Sequence, residues 1–198
     1  QQKKRELKVE VPGSKSITNR ALLLAALAEG TSVVKGILFS DDSRHFLQCL
    51  KDLGFSVTFS EEKKEAVITG CGGKIPKKEA KIYVGSAGTA ARFLTALLGM
   101  SDGTYEIQAS EQMKARPMDA LFDSLKSLGA EITYLEKEGY LPVKIGNRGI
   151  CTGHVCVDIE KSSQFLSALL ISSVILQHDF TIEMTGEHGK AYVELTAH

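Results

Sequence analysis

The chain has 198 residues, of which 43% are hydrophobic and 24% charged, and this composition is typical of a soluble globular protein with one sizeable domain or two small ones. Because 24 basic residues balance 24 acidic residues, the formal net charge is zero, which argues against a nucleic-acid binder with a broad basic face. No apolar run reaches the roughly 18 residues that cross a bilayer, and the polar segment 1–10 is unlike a signal peptide.

The four cysteines and five histidines show no metal-ligand spacing. No C-x-x-C pair occurs, and the histidines do not cluster with the cysteines. We therefore expect no metal site, and we expect reduced thiols in a cytoplasmic protein.

The first predicted unit covers about residues 7–72. Alternating, β-branched runs predict its strands, and a Leu- and Ala-rich segment predicts a helix that is apolar almost all round and therefore buried. Phe46, Leu50 and Leu53 predict the buried stripe of an amphipathic helix that ends at Gly54 as its C-cap. In order, the elements are a strand at 8–11, a helix from 20, a strand at 31–35, the amphipathic helix, and strands at about 56–59 and 66–69.

The same order of elements recurs at an interval of about 73 residues. A second unit covers about 79–147, where Leu121, Leu125 and Leu128 repeat the buried stripe. A third unit, about 153–198, has the first strand, the buried helix and the second strand, and stops near the start of its second helix. We predict an α/β (α+β) fold of repeated strand-helix-strand-helix-strand-strand units, with buried helices and sheets outside. The third unit is then incomplete, or it is a naturally degenerate terminal repeat.

The turn between the first strand and the buried helix of each unit favours anion binding. Small residues let an anion approach the backbone, and a helix start offers free N–H groups and the positive end of the helix dipole. An internal carboxylate is the other partner that the cations in these turns could have. If the repeats pack around one axis, the three turns converge on one site. They comprise 12–16 with Asn19 and Arg20, 85–89 with Arg92, and 161–164.

Two further segments precede the amphipathic helices. Lys114 and Arg116 lie before the second one, with Pro117 suited to its first turn, and they either clamp a phosphate or carboxylate or are two solvated surface charges. Before the first one, Ser40 or Asp41 is suited to the N-cap, and Asp42 could pair with a cation.

Over about residues 9–196 the chain resembles the 5-enolpyruvylshikimate-3-phosphate synthase family. Several motifs in the right order make the resemblance specific, whereas any one of them alone would be weak. The segments that carry it are PGSKSITNRALLLAAL from Pro12, SDDSR from Ser40, GSAGTAAR from Gly85, KARP from Lys114 and SSQF from Ser162.

The resemblance implies transfer of the enolpyruvyl group of phosphoenolpyruvate to the 5-hydroxyl of shikimate 3-phosphate, without metal or organic cofactor. It also implies a cytoplasmic, monomeric enzyme of two similar domains that close over the substrates. Residues 1–198 would form one such domain, and the second domain, which supplies further catalytic residues, would be absent. We therefore expect this chain to be inactive alone and marginally stable or self-associating.

The family's binding residues can be carried over to matching positions. Lys15 is also the one candidate for proton transfer, since a lysine in a basic, closing site can have a lowered pKa. The shikimate 3-phosphate residues are Lys15, Ser16, Arg20, Ser162, Ser163, Gln164 and Tyr192, and the phosphoenolpyruvate residues are Lys15, Gly88, Arg116 and Gln164.

Departures from the family pattern leave some contacts open. Ser86 stands where the family often has Asn, Phe93 where some members have Pro, and Gly189 and Ala191 where many have Ser and Pro. Two alternatives remain. One is a non-catalytic substrate-binding half of a split enzyme. The other is a UDP-N-acetylglucosamine enolpyruvyl transferase, which usually carries a reactive cysteine where segment 111–117 has none.

Overall fold

The computed structural model describes residues 6–10, 13–147, 154–158, 180–186 and 189–195, with side chains for 8–10, 13–15 and 17–147. No helix in these ranges is both long enough and apolar enough to cross a membrane. The helices are α1 Lys15–Leu27, α2 Asp41–Asp52, α3 Gly88–Gly99, α4 Glu111–Lys114 and α5 Asp119–Ser127. The strands are β1 Glu6–Glu10, β2 Glu29–Lys35, β3 Ser56–Ser60, β4 Glu65–Cys71, β5 Glu79–Tyr83, β6 Thr104–Gln108, β7 Ala130–Tyr134, β8 Val143–Asn147, β9 His154–Asp158, β10 Phe180–Gly186 and β11 Gly189–Leu195.

The strands form three small mixed sheets, with the orders β1-β2-β4-β3, β5-β6-β8-β7 and β11-β10-β9. In each sheet the first two strands of the unit run parallel, as shown by the registers Val9 opposite Val34 and Ile82 opposite Ile107. The later strands pair antiparallel. Parallel neighbours require a crossover, and α1 and α3 provide it in the first two units. The predicted order of elements is therefore confirmed for these two units, except that the short helix α4 precedes the amphipathic helix of the second unit.

The helices provide most of the core. The predicted stripes are confirmed, because Phe46, Leu50 and Leu53 on one amphipathic helix, and Leu121, Leu125 and Leu128 on the other, are fully buried. Gly54 ends α2 as predicted. It has φ +95°, and the next N–H, that of Phe55, donates to the Leu50 carbonyl at 3.0 Å, so a carbonyl of the last helical turn is satisfied.

The prediction that the first helix of each unit is buried all round is confirmed for α3 and wrong for α1. Phe93, Leu94 and their neighbours up to Leu98 are fully inaccessible, whereas Ile17 and Leu24 on α1 are 39% and 49% exposed. Residues seven apart lie on one helical face, so α1 has one outward face despite its composition. The corresponding helix of the third unit, predicted from Gln164, lies outside the described residues.

One strand was not predicted from the sequence. Residues 189–195 form β11, antiparallel to β10 on the side away from β9. That is the place taken by β4 beside β2 and by β8 beside β6. Ala191 can donate to a ladder where a proline could not, and small or apolar residues alternate with polar ones along the segment. The second helix of the third unit, expected to start near His198, lies outside the described residues.

The prediction that Pro117 lies in the first turn of the second unit's amphipathic helix is wrong, because Pro117 precedes the N-cap of α5. The N-cap of that helix is Met118, whose N–H donates to the Gly139 carbonyl at 2.9 Å. This bond fixes Met118 outside the helix, and the helix starts one residue later, at Asp119.

Candidate anion-binding site

The first anion-binding turn ends at the start of α1. Thr18 N–H donates to the Ser14 carbonyl at 2.9 Å, so Ser14 is the N-cap and Lys15 is the first helical residue. The first turn contains no acidic side chain, and Lys15 is exposed. Ser16 lies in this turn of the helix. The helix start therefore presents N–H groups and an ammonium group with no carboxylate in that turn to neutralise them.

Arg20 connects this turn to the second unit. Its guanidinium carbon lies 5.8 Å from the centroid of the Phe93 ring, in the range of a cation–π contact. Phe93 is the residue after Arg92 on α3, so the N-terminal parts of α1 and α3 lie side by side. The sequence pattern did not indicate this contact, because it depends on how two units pack.

The second turn, residues 84–87, places Gly88 at the start of α3. Gly85 is buried and has φ +60°, a conformation that favours glycine. A Cβ at Gly85 would lie 2.5 Å from Nε2 of His45, a residue of α2 in the first unit. The His45 ring also contacts the Tyr83 ring edge-on at 5.4 Å between centroids. The turn is therefore shaped by its own glycine and by a histidine that no sequence motif had indicated.

Two arginines converge on Gly88. An ideal Cβ built on this buried glycine would lie 2.8 Å from Nη1 of Arg92 and 2.9 Å from Nη1 of Arg116. The two nitrogens therefore lie within about 6 Å of each other, and two unit charges at that distance repel by ~3 kcal/mol at an effective dielectric constant of about 20. Both sit at the start of α3, where the helix dipole is also positive and the first turn has no acidic residue.

The electrostatic cost is visible at Arg92. Burial, and then the neighbouring charge of Arg116, lower the pKa of its guanidinium. Within the ranges that the structure describes, no carboxylate forms an ion pair with Arg20 or Arg116. A phosphate or carboxylate placed at Gly88 would relieve the repulsion between the arginines and accept hydrogen bonds from both.

Lys114 and Arg116 differ in their surroundings, although the sequence presents them as a pair. The Lys114 ammonium forms ion pairs with Glu136 at 2.9 Å and Glu111 at 3.3 Å, and these contacts raise its pKa. Lys114 is therefore neutralised by protein carboxylates, whereas Arg116 approaches Arg92 and Gly88. The cation pair at this site is Arg92 with Arg116.

The third predicted binding segment, with Ser162, Ser163 and Gln164, lies outside the described residues. Tyr192 lies on β11 in register with Glu183 of β10. The structure thus brings together the glycine turn, Arg92 and Arg116. Arg20 contacts Phe93, the residue next to Arg92 in the sequence. These positions make up the described part of the candidate site.

The repeated mixed α/β units belong to the enolpyruvyl transferase fold, as the likeness to solved structures of EPSP synthase shows. The EPSP synthase (3-phosphoshikimate 1-carboxyvinyltransferase) family model matches residues 1–198, so the chain belongs to that family. It is 47% identical to 3-phosphoshikimate 1-carboxyvinyltransferase of Sulfurovum sp. over 98% of this chain and 46% of the relative. It is 42% identical to the protein of the same name from Trichormus variabilis over 95% of this chain and 44% of the relative.

A solved structure agrees with this result. EPSP synthase from Acinetobacter baumannii superposes with a TM-score of 0.76 and 27% identity, over 92% of this chain and 42% of that one. The chain therefore spans slightly less than half the length of the relatives that it matches.

Proposed function

We propose that this chain is one domain of an enzyme that transfers the enolpyruvyl group of phosphoenolpyruvate to the 5-hydroxyl of shikimate 3-phosphate, with release of phosphate. The observation that carries the proposal is the convergence of Arg92 and Arg116 on the backbone of Gly88. In this reading the arginines and the start of α3 hold phosphoenolpyruvate. Lys15, Ser16 and Arg20 at the start of α1 hold shikimate 3-phosphate, together with Ser162, Ser163, Gln164 and Tyr192.

Charge placement accounts for the chemistry assigned to this half. Both substrates are anions, and they must come together while the enolpyruvyl carbon forms a bond to the 5-oxygen and loses its bond to phosphate. Fixed cations lower the repulsion between the substrates and stabilise the departing phosphate. Lys15 is the residue proposed for proton transfer, because it is exposed at the helix start where both ligands are placed.

The enzyme proposed here has a second domain that supplies further catalytic groups, works as a cytoplasmic monomer and uses no cofactor. Residues 1–198 would then bind without completing turnover. The alternative is a non-catalytic substrate-binding half of a split enzyme, which would hold the same ligands through Arg92 and Arg116. Turnover is measured for the chain alone and after addition of the missing half, since a chain that stays inactive with that half added binds substrate without taking part in catalysis.

Calorimetric titration of this chain with shikimate 3-phosphate tests the proposal, with Lys15→Ala as the matched variant. We expect saturable binding that weakens at least about tenfold in the variant, as for the loss of a charge-assisted contact. The titration is repeated on the full-length protein. The substrate assignment would be refuted if both the folded chain and the full-length protein bound neither shikimate 3-phosphate nor phosphoenolpyruvate.

A further inference from the structure

The position of Arg116 relative to Gly88 depends on two separate connections. Gly88 follows the turn 84–87 between β5 and α3. Arg116 follows α4, which is reached through residues 109–110 after β6. Because the two connections belong to neighbouring strands but not to one element, contacts between them determine how closely the arginine approaches the glycine.

Three hydrogen bonds join the turn 84–87 to the last residue of β6 and to the connection that follows it. Val84 N–H donates to the Gln108 carbonyl at 2.9 Å, and Ser110 N–H donates to the Gly85 carbonyl at 3.1 Å. The third joins the hydroxyls of Ser86 and Ser110, whose Oγ atoms are 2.6 Å apart, which is short for two hydroxyls. The first two bonds use the backbone and do not depend on side-chain identity. The Ser86–Ser110 bond is the one side-chain tie among them.

Hydrogen bonds through Met113 connect Ser110 to the backbone of Arg116. Ser110 is the N-cap of α4, and its Oγ accepts a hydrogen bond from Met113 N–H at 3.2 Å. Arg116 N–H in turn donates to the Met113 carbonyl at 3.0 Å, and the Met113 side chain is fully buried. A short, continuous path therefore leads from the Ser86 hydroxyl through Ser110 and Met113 to the backbone of Arg116.

We propose that Ser86 is a positioning residue. Its hydrogen bond with Ser110 sets where the Arg116 guanidinium stands relative to Gly88, and thereby how tightly the phosphate of phosphoenolpyruvate is held. Ser86 is exposed beside the site, and it acts through Ser110 instead of acting as a donor to the ligand. The identity of the ligand rests on the proposed function, whereas the positioning is a property of the ligand-free chain.

Nuclear magnetic resonance of the ligand-free chain tests the positioning directly. The Nε–H signal of Arg116 and the amide signal of Gly88 are compared between the wild type, Ser86→Ala and Ser86→Thr, which keeps the hydroxyl. We expect both signals to shift in Ser86→Ala and to return towards the wild type in Ser86→Thr. Arg44, which is paired with Glu61 at 2.7 Å in the first unit, is the internal control and keeps its signal.

Titration with phosphoenolpyruvate and with shikimate 3-phosphate separates positioning from a general structural role. We expect Ser86→Ala to weaken phosphoenolpyruvate binding about fivefold, with the affinity for shikimate 3-phosphate unchanged. Unchanged Arg116 and Gly88 signals in Ser86→Ala, or an equal loss of both affinities, would overturn the inference. A wild-type chain that binds neither ligand counts against the proposed function, and the resonance comparison still decides the role of Ser86.

Discussion

Arg92 and Arg116 come from different segments, α3 and the loop after α4, and direct their Nη1 atoms at the same backbone position, Gly88. The two positive charges repel each other, and burial together with the charge of Arg116 lowers the pKa of the Arg92 guanidinium. Arrangements that are unfavourable in the free protein and favourable with an anion are typical of binding sites. Substitutions at and around Arg92 and Arg116 therefore test whether the two arginines bind an anion.

Arg116→Ala should remove most of the affinity for phosphoenolpyruvate while leaving stability unchanged. The substitution deletes one charged donor, which is worth about 10- to 100-fold in binding. It also removes the repulsion on Arg92, so the free energy of unfolding should stay within about 0.5 kcal/mol of the wild type or rise slightly. Calorimetric titration and urea unfolding measure the two quantities.

Lys114→Ala is the matched control for Arg116→Ala. Its ammonium is already paired with Glu136 and Glu111, and exposed ion pairs contribute little to stability, so its removal should change the free energy of unfolding only slightly. The affinity for phosphoenolpyruvate should stay at the wild-type value. If Lys114→Ala weakened binding as much as Arg116→Ala, the assignment of Arg92 with Arg116 as the cation pair would be wrong.

Gly88→Ala should impair binding more than folding. The added Cβ would approach the ends of two flexible side chains, Arg92 and Arg116, which can move aside at little cost. Moving them takes both guanidinium groups from the anion position, so we expect the phosphoenolpyruvate affinity to fall about tenfold or more. The free energy of unfolding, measured with urea, should change by less than about 1 kcal/mol.

Gly99→Ala, at the other end of α3, provides the contrast. There the added Cβ would lie 2.8 Å from Cδ1 of Leu125 and 3.0 Å from Cδ1 of Ile145, both in the core. Overpacking costs about 1–3 kcal/mol, and the better helix propensity of alanine returns up to about 1 kcal/mol. We expect lower stability with unchanged ligand affinity. If Gly88→Ala and Gly99→Ala were equally stable, the flexible arginine side chains beside Gly88 would not differ in effect from the packed core side chains beside Gly99.

The fold of the first two units could be predicted because local patterns and burial agree there. Phe46, Leu50 and Leu53 recur at helical spacing and are all buried, and Gly54 ends the helix where the pattern ends. The strand β11 was not predicted, because in the first two units a helix and not a strand follows the second strand. Pairing with the edge of β10 and the local alternation in the segment outweighed the repeat.

The site was predictable as a set of candidates and not as an arrangement. Small residues and a cation at a helix start predicted the turn 85–89 with Arg92, whereas the binding roles of Gly88 and Arg116 came only from the family resemblance. Sequence spacing could not separate Lys114 from Arg116, because the difference lies in Glu136, which is brought close by the loop after β7. The contact of His45 with Gly85 likewise depends on packing between two units, and no local pattern indicates it.

Gly85→Ala and His45→Ala should be non-additive. Alanine at position 85 suffers the strain of φ +60°, about 1–2 kcal/mol, and also meets the His45 ring. His45→Ala alone loses the edge contact with Tyr83, about 0.5–1.5 kcal/mol. In the double variant the clash is absent, so it should be about 1 kcal/mol more stable than the sum of the single effects predicts. A double-mutant cycle by urea unfolding measures this, and strict additivity would show that the two residues do not meet.

Cys49 should make the protein less stable as the pH rises above about 9. Its thiol is fully buried and donates to the Tyr83 carbonyl at 3.3 Å, and burial, with a smaller effect of Asp52, raises its pKa from 9.0 to about 12. In the unfolded chain the thiol ionises near its ordinary pKa, while in the folded chain it stays neutral. Its contribution to stability is therefore complete below pH 9 and is lost as the pH rises towards 12.

Urea unfolding between pH 8 and pH 10 tests this, since a single such group contributes a slope of up to about 1.4 kcal/mol per pH unit. Cys49→Ala should flatten the decline in this range, whereas Cys71→Ala, at an exposed cysteine, should leave the slope unchanged. The range stops at pH 10 because burial also raises the pKa of Tyr105, from 10.0 to about 12, and adds its own slope above that pH. A decline of equal steepness in Cys49→Ala and the wild type would show that the thiol is not the group responsible.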